Sequence, residues 1–206
     1  MNQNKLLLYV AAAALIVSVA GAFVTYLSVS QLATTISGFA TSTGQASLTV
    51  ESVVQVNFTT NFVSWGSGRV NPGQSLAQLT TLETNNVTNG NWTLTVPGGF
   101  RLENIGNTNV TLDLLAGKTA AQFLGGTGPV YQWNVSNVEA TSCANNQTTL
   151  MTWFNVNITS PGTRFCGNFT YYNAADLIRI DINLTVPYDS ISGALTDTIT
   201  ATATAA

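Results

Sequence analysis

No Asp, Glu, Lys, Arg or His occurs between Lys5 and Glu51, and the first part of that gap, residues 6 to about 29, is almost wholly apolar. A helix over residues 6–27 would be roughly 33 Å long at about 1.5 Å per residue, close to the ~30 Å hydrocarbon thickness of a bilayer. The chain therefore opens with a segment able to cross a membrane. The remainder is expected to fold as a β-rich domain outside the cytoplasm.

Two readings of the opening segment stay open. A leader with one positive charge (Lys5), an apolar run and the small residues Ala20-Gly21-Ala22 fit a secretory signal cleaved after Ala22. Alternatively the helix is retained, because Phe23, Val24, Tyr26, Leu27 and Val29 carry the apolar run to a length that spans a membrane. Val29, Leu32, Ala33, Ile36 and Ala40 then recur at helical spacing among Ser, Thr and Gln, which predicts one continuous helix over residues 1–40 with an amphipathic outer half. On that reading Leu6, Val10, Gly21, Val29, Leu32, Ala33 and Ile36 are the helix-packing residues, with the alanines at 11–14 and Gly21 allowing close approach.

Residues 41–47 read as a linker and residues 48–206 as the outer domain. Only 7% of the chain is charged, against the ~25% usual for soluble proteins, so Asn, Thr, Ser and Gly carry its polarity. The net charge is −3, and Arg69, Arg101, Lys118, Arg164 and Arg179 are scattered. A nucleic-acid surface needs a concentrated basic stripe, so nucleic acid is not an expected partner.

Period-two alternation recurs through the outer domain. Leu48, Val50, Val54, Val56 and Phe58 share one parity, with Thr49, Glu51, Gln55 and Asn57 on the other, the pattern of a half-buried strand. Further runs are Trp92, Leu94 and Val96; Val110, Leu112 and Leu114; Tyr131, Trp133 and Val135; Phe154, Val156 and Ile158; Phe165, Phe169 and Tyr171; and Ile178, Ile180, Ile182, Leu184 and Val186. A Thr-rich strand is predicted over residues 194–204. Gly, Pro and Asn clusters separate these runs. Many short strands without helical interruption predict a two-sheet antiparallel sandwich, with a closed barrel as the alternative.

Asn-x-Ser/Thr sequons stand at Asn57, Asn86, Asn91, Asn109, Asn134, Asn146, Asn157, Asn168 and Asn183. Seven of them, all but Asn86 and Asn146, fall on the strand parity opposite to the apolar residues, where a glycan would leave the core undisturbed. Asn-rich, Thr-rich strands also generate such motifs by composition alone. Cys143 and Cys166 are the only cysteines, and in an exported domain they are expected to form one disulfide.

Little points to catalysis. With no His, the Ser-His-Asp and Cys-His constellations are missing, and no G-x-S-x-G, P-loop or dinucleotide fingerprint occurs. The nearest carboxylate pairs are Asp176 with Asp181 and Asp189 with Asp197. Asp181 alternates with Ile178, Ile180 and Ile182 and is expected on a solvated strand face. No cofactor and no metal site is expected. Trp92 and Trp133 share parity with apolar neighbours and read as core, while Trp65, between small residues, is open.

Two stretches carry a resemblance. Phe100-Arg-Leu-Glu-Asn-Ile-Gly-Asn-Thr-Asn-Val-Thr-Leu-Asp-Leu114 resembles the strand-turn-strand of immunoglobulin-like surface modules. Leu184-Thr-Val-Pro-Tyr-Asp-Ser-Ile-Ser-Gly-Ala-Leu-Thr-Asp-Thr-Ile-Thr200 resembles their final hairpin. The layout, an N-terminal hydrophobic helix joined to a Thr/Asn-rich β-domain, is similar to archaeal type IV pilins and related surface filament proteins. That resemblance implies helices bundled in a filament core and β-domains forming a glycosylated sheath; pilin-type processing would make Leu6 the first mature residue.

The expectation is therefore a non-enzymatic cell-surface protein with an immunoglobulin-like sandwich, anchored in the membrane or self-associated through its helix. Strand donation between copies is a second route to polymerisation, because sparse charge leaves edge strands poorly protected. The alternative is a tethered or secreted adhesin that binds a glycan or a partner surface through aromatics around Trp65, Tyr171, Tyr172 and Tyr188.

Overall fold

A computed structural model describes residues 3–36, 47–82, 86–93, 98–144 and 150–206, with helix side chains described for residues 3–28. The chain divides into two compact units, Met1–Thr49 and Val50–Ala206.

The first unit holds α1, Gln3–Ile36, whose 34 residues make a rod of about 51 Å. Leu and Ala are strong helix formers, and no proline interrupts the run. The hydroxyls that would otherwise compete with the backbone are turned onto it: Thr25 Oγ1 donates to the Gly21 carbonyl at 2.8 Å and Ser28 Oγ to that of Val24 at 2.9 Å. The stretch Gln3–Ser28 is long and apolar enough to cross a membrane. Residues 37–46, which include Ala40 and most of the predicted linker, lie outside the described residues.

The second unit is mainly β. Its elements are β1 (Val56–Thr60), β2 (Leu76–Thr80), β3 (Val87–Thr88), β4 (Phe100–Asn104), β5 (Val110–Ala116), α2 (Ala120–Phe123), β6 (Val130–Asn137), β7 (Cys143–Ala144), β8 (Phe154–Asn155), β9 (Thr163–Phe169), β10 (Leu177–Pro187) and β11 (Ile199–Ala205). The short α2 starts with a capping box, Thr119 and Gln122 exchanging side-chain-to-backbone bonds.

Two antiparallel sheets form. The larger is organised by β10, which pairs along one edge with β6 and along the other with β4 at its start and β2 at its end. Outer strands β1, β3 and β8 join β4, β2 and β6. The smaller sheet runs β11-β5-β9-β7. At Gly99 a Cβ would lie 2.3 Å from the Ile180 carbonyl oxygen, so glycine lets the chain enter β4 against β10.

The sheets enclose one core. Trp133, Val135, Ile178 and Ile180 of the larger sheet and Leu112, Leu114, Phe165 and Phe169 of the smaller are fully buried. Trp133 meets Phe165 edge-on across the layers, with ring centroids 5.5 Å apart. Each such side chain contributes about 1.5–3 kcal/mol relative to leaving it exposed. The Cys143–Cys166 disulfide joins β7 to β9, neighbours in the smaller sheet.

Several expectations are corrected. The strand expected from Leu48 begins only at Val56, because Asn107 takes over the backbone before it: Val53 N–H donates to Asn107 Oδ1 at 2.6 Å and Asn107 N–H donates to the Val53 carbonyl at 3.1 Å. Trp92 packs against the core from outside any strand, and Leu94 and Val96 lie outside the described residues. The run through Phe154 is a strand only over two residues, leaving Ile158 exposed. Irregular register between β5 and β9 breaks the alternation, so the adjacent residues Phe165 and Cys166 are both fully buried. The anticipated final hairpin does not form, since β10 and β11 belong to different sheets. Similarly, the turn after Asn104 carries the chain from one sheet to the other.

Candidate assembly surfaces

The sequence offers α1, the sequon positions, the carboxylate pairs and the aromatic group as functional candidates, and the fold treats each differently. Along α1 the large apolar side chains are uncovered: Leu7 is 66% exposed, Ile16 67% and Val17 71%. Leu6, Val10 and Gly21 are exposed on the same rod, and a Cβ at Gly21 would meet open space. Val29, Leu32, Ala33 and Ile36 lie within α1, with their side chains outside the described set. Because every face of the rod between Leu6 and Leu27 is apolar or small, it suits lipid or other helices better than water.

The sequons fall into distinct environments. Asn57, Asn86 and Asn91 are exposed. Asn91 uses Oδ1 to accept the Arg69 N–H at 2.7 Å, and Asn157 uses Oδ1 to accept the Thr159 N–H at 2.8 Å. Asn183 donates Nδ2 to Gln132 Oε1 at 3.2 Å, and Gln132 passes a bond to Asn155 at 3.1 Å, an amide ladder across three strands. Asn109 and Asn168 are half-buried, with buried Oδ1 atoms. Asn134 is buried at 6% exposure, opposite Asp181, which corrects the expectation that its row faces solvent. Asn146 lies outside the described residues.

The carboxylates are likewise engaged. Asp181 is buried and accepts from Arg179 and from Thr81 Oγ1, the latter at 2.7 Å, so the expected solvated face is instead a closed polar cluster. The cause is local: β2 and β4 leave β10 between them at this point, and Thr81 bridges the gap, its Oγ1 accepting the Ile182 N–H at 2.9 Å. Asp176 is also buried, and its N–H donates to Glu139 Oε2 at 2.9 Å. Burial, followed by the charges of Glu139 and Glu103, pushes its carboxyl above the usual range. Asp189 accepts the Thr127 N–H at 3.0 Å and hydroxyl at 2.8 Å, which hold its carboxyl below the usual range. Asp197 faces Tyr131, whose phenol is pushed up by burial and by that carboxylate. Each of the four acids is thus committed to a group other than its proposed partner. Among the described residues, no group of three His, Cys, Asp or Glu side chains could hold a metal.

The aromatic group is dispersed. Tyr171 and Tyr172 stack at 4.6 Å, with Tyr172 61% exposed, and Tyr188 is 72% exposed. Trp65 instead packs against the core.

Sequence reasoning missed Asn104, which is 1% exposed on β4. Its Nδ2 donates to the Thr108 and Phe169 carbonyls, both at 3.1 Å, and its Oδ1 accepts the Gly106 N–H at 3.1 Å. The signal was present in Asn104-Ile-Gly106, a short Asx turn. Thr81 carried no comparable signal.

The smaller sheet ends in β11. Among the described residues β11 pairs only with β5, so its outer edge is free, and its sequence, ITATATA, bears no charge and no proline. Native edge strands commonly use such residues to refuse partners. No protein-family model, curated protein or solved structure matches this chain.

Proposed function

We propose that this chain is a non-enzymatic extracellular structural protein, a pilin-like filament subunit or membrane-anchored envelope component held through α1. The observation that carries the reading is the uncovered apolar rod: a 34-residue helix with no acidic or basic residue after Lys5. Burying that surface in lipid or against other copies of α1 removes its hydration cost. The β-domain suits a crowded surface, because its few charges impose few like-charge penalties between neighbours. Its disulfide fits an oxidising exterior. In the archaeal, glycosylated form of this reading, the exposed Asn57, Asn86 and Asn91 are the first positions to carry glycans.

N-terminal sequencing of native protein, joined to electron microscopy of the cell surface, tests the proposal. A start at Leu6 with filaments containing the chain supports the subunit, and an intact Met1 supports the anchor. A freely diffusing monomer that begins at Phe23 would overturn both. The Tyr171–Tyr172 stack, with Tyr172 exposed over the half-buried Tyr171, favours a second reading, an adhesin that offers an aromatic platform to a sugar ring. Glycan-array binding that Tyr172→Ala abolishes would support it.

A further inference from the structure

We propose that the free edge of β11 accepts residues 47–50 of a second copy as an added strand. This rests on the reading of the chain as a self-assembling subunit and specifies a contact between the β-domains.

The acceptor is incomplete in two ways. The outward backbone groups of β11 have no strand beside them among the described residues. Its inward row is also imperfectly covered: Ile199, Ala201 and Ala203 are only half-buried, whereas Leu112, Leu114 and Ala116, their cross-strand partners on β5, are 0–3% exposed. The alanines leave room for larger side chains from a neighbouring strand.

The donor has the matching defect. Leu48 and Val50 alternate with Ser47 and Thr49 in strand period, yet they are 88% and 75% exposed and belong to no strand. Just downstream the chain is fixed, since Asn107 Nδ2 donates to the Glu51 carbonyl at 2.8 Å and Asn107 Oδ1 accepts the Val53 N–H. The stretch is thus a strand-patterned arm rooted on its own domain. Fully extended it spans about 13 Å, enough to cover roughly half of the seven-residue β11. With Leu48 and Val50 turned inward beside the alanines and Thr49 outward beside the threonines, both defects close over that half of β11. Donor and acceptor are different surfaces of one chain, so each copy can donate to one neighbour and accept from another, the head-to-tail repeat a filament requires.

Thr200, Thr202 and Thr204 are exposed, which makes the contact open to cross-linking. Three full-length double variants, Thr49→Cys combined in turn with Thr200→Cys, Thr202→Cys or Thr204→Cys, are oxidised mildly and run without reductant. The expected result is a covalent ladder from at least one pairing. No ladder from any of the three, or only an internally linked monomer, overturns the proposal. A charged edge gives an independent check: Thr202→Lys with Thr204→Lys keeps the near-ultraviolet circular dichroism of the domain and lowers assembly at least tenfold. Filaments that persist unchanged in that variant refute strand addition while leaving the subunit reading intact; absence of any oligomer of the unsubstituted chain refutes the subunit reading itself.

Discussion

Arg179 and Asp181, two residues apart on one face of β10, close on each other: Arg179 donates to Asp181 Oδ1 from Nε at 2.9 Å and from a terminal nitrogen at 2.7 Å. Asp181 is 1% exposed, so the pair is a buried charge with its counter-charge, completed by Thr81. The second terminal bond of Arg179 runs to the Thr81 carbonyl at 2.6 Å, tying the end of β2 to the middle of β10.

Removing one partner should therefore cost far more than an exposed ion pair would. Arg179→Met leaves Asp181 buried without its cation, and a loss of about 3 kcal/mol is expected. Thr81→Val removes one hydroxyl that both donates and accepts, for about 1–3 kcal/mol. Urea unfolding of the β-domain measures both. An Arg179→Met midpoint equal to that of the parent would show that solvent reaches Asp181.

The centre of the sandwich makes a second demand. Trp133→Ala deletes the largest fully buried side chain and its edge contact with Phe165, and about 3–5 kcal/mol should be lost. Trp133→Phe keeps most of the volume and should cost less than half of that. Equal losses in thermal melts of the two variants would mean that shape, not volume, governs the layer contact.

How far the sequence reveals this fold depends on how strictly each segment alternates. β5, β6 and β10 are legible because most of their apolar residues keep one parity and each strand lies between other strands of its sheet. Residues 48–51 also alternate and yet form no strand, because alternation reports what a segment can pair with and not whether a partner is present. Asp181 deceived for a related reason: opposite parity means the other face of the sheet, and that face is closed where Thr81 and Arg179 meet. The passage from β10 to β11 was illegible because period two says nothing about which sheet receives the next strand. Of the candidate surfaces, α1 was legible from hydropathy alone, whereas the free edge of β11 became visible only through its pairing.

The disulfide should stabilise the domain chiefly by restricting the unfolded chain. Cys143 and Cys166 are 23 residues apart, and the chain-entropy model assigns such a loop roughly 3 kcal/mol. Cys143→Ala with Cys166→Ala should lower the melting temperature by several degrees without changing the β signature in the far ultraviolet. An unaltered melting temperature would place the bond's effect below that of the strand pairing around it.

Asp176 gives the domain an unusual pH dependence. Its folded carboxyl lies above the ordinary value, so the folded state holds a proton that the unfolded chain has begun to release. Its stabilising contribution is complete below the unfolded value of about 3.9 and declines as pH rises through the folded value. Glu139, which accepts the Asp176 N–H, and Glu103 are the charges that oppose ionisation there. Asp189 acts in the reverse sense: Thr127 depresses its folded value, so its contribution is present above the ordinary carboxylate range and fades as pH falls below it. The two can be separated by substitution. Asp176→Asn should remove the decline that begins above about pH 4, so the gap between variant and parent in urea midpoint shifts in favour of the variant as pH is raised from 3 to 7. Asp189→Asn should shift the gap the other way over the same range, against the variant as pH rises. Parallel midpoint curves for Asp176→Asn and parent would show that its carboxyl titrates alike in the folded and unfolded chain, and that the Glu139 contact holds no proton.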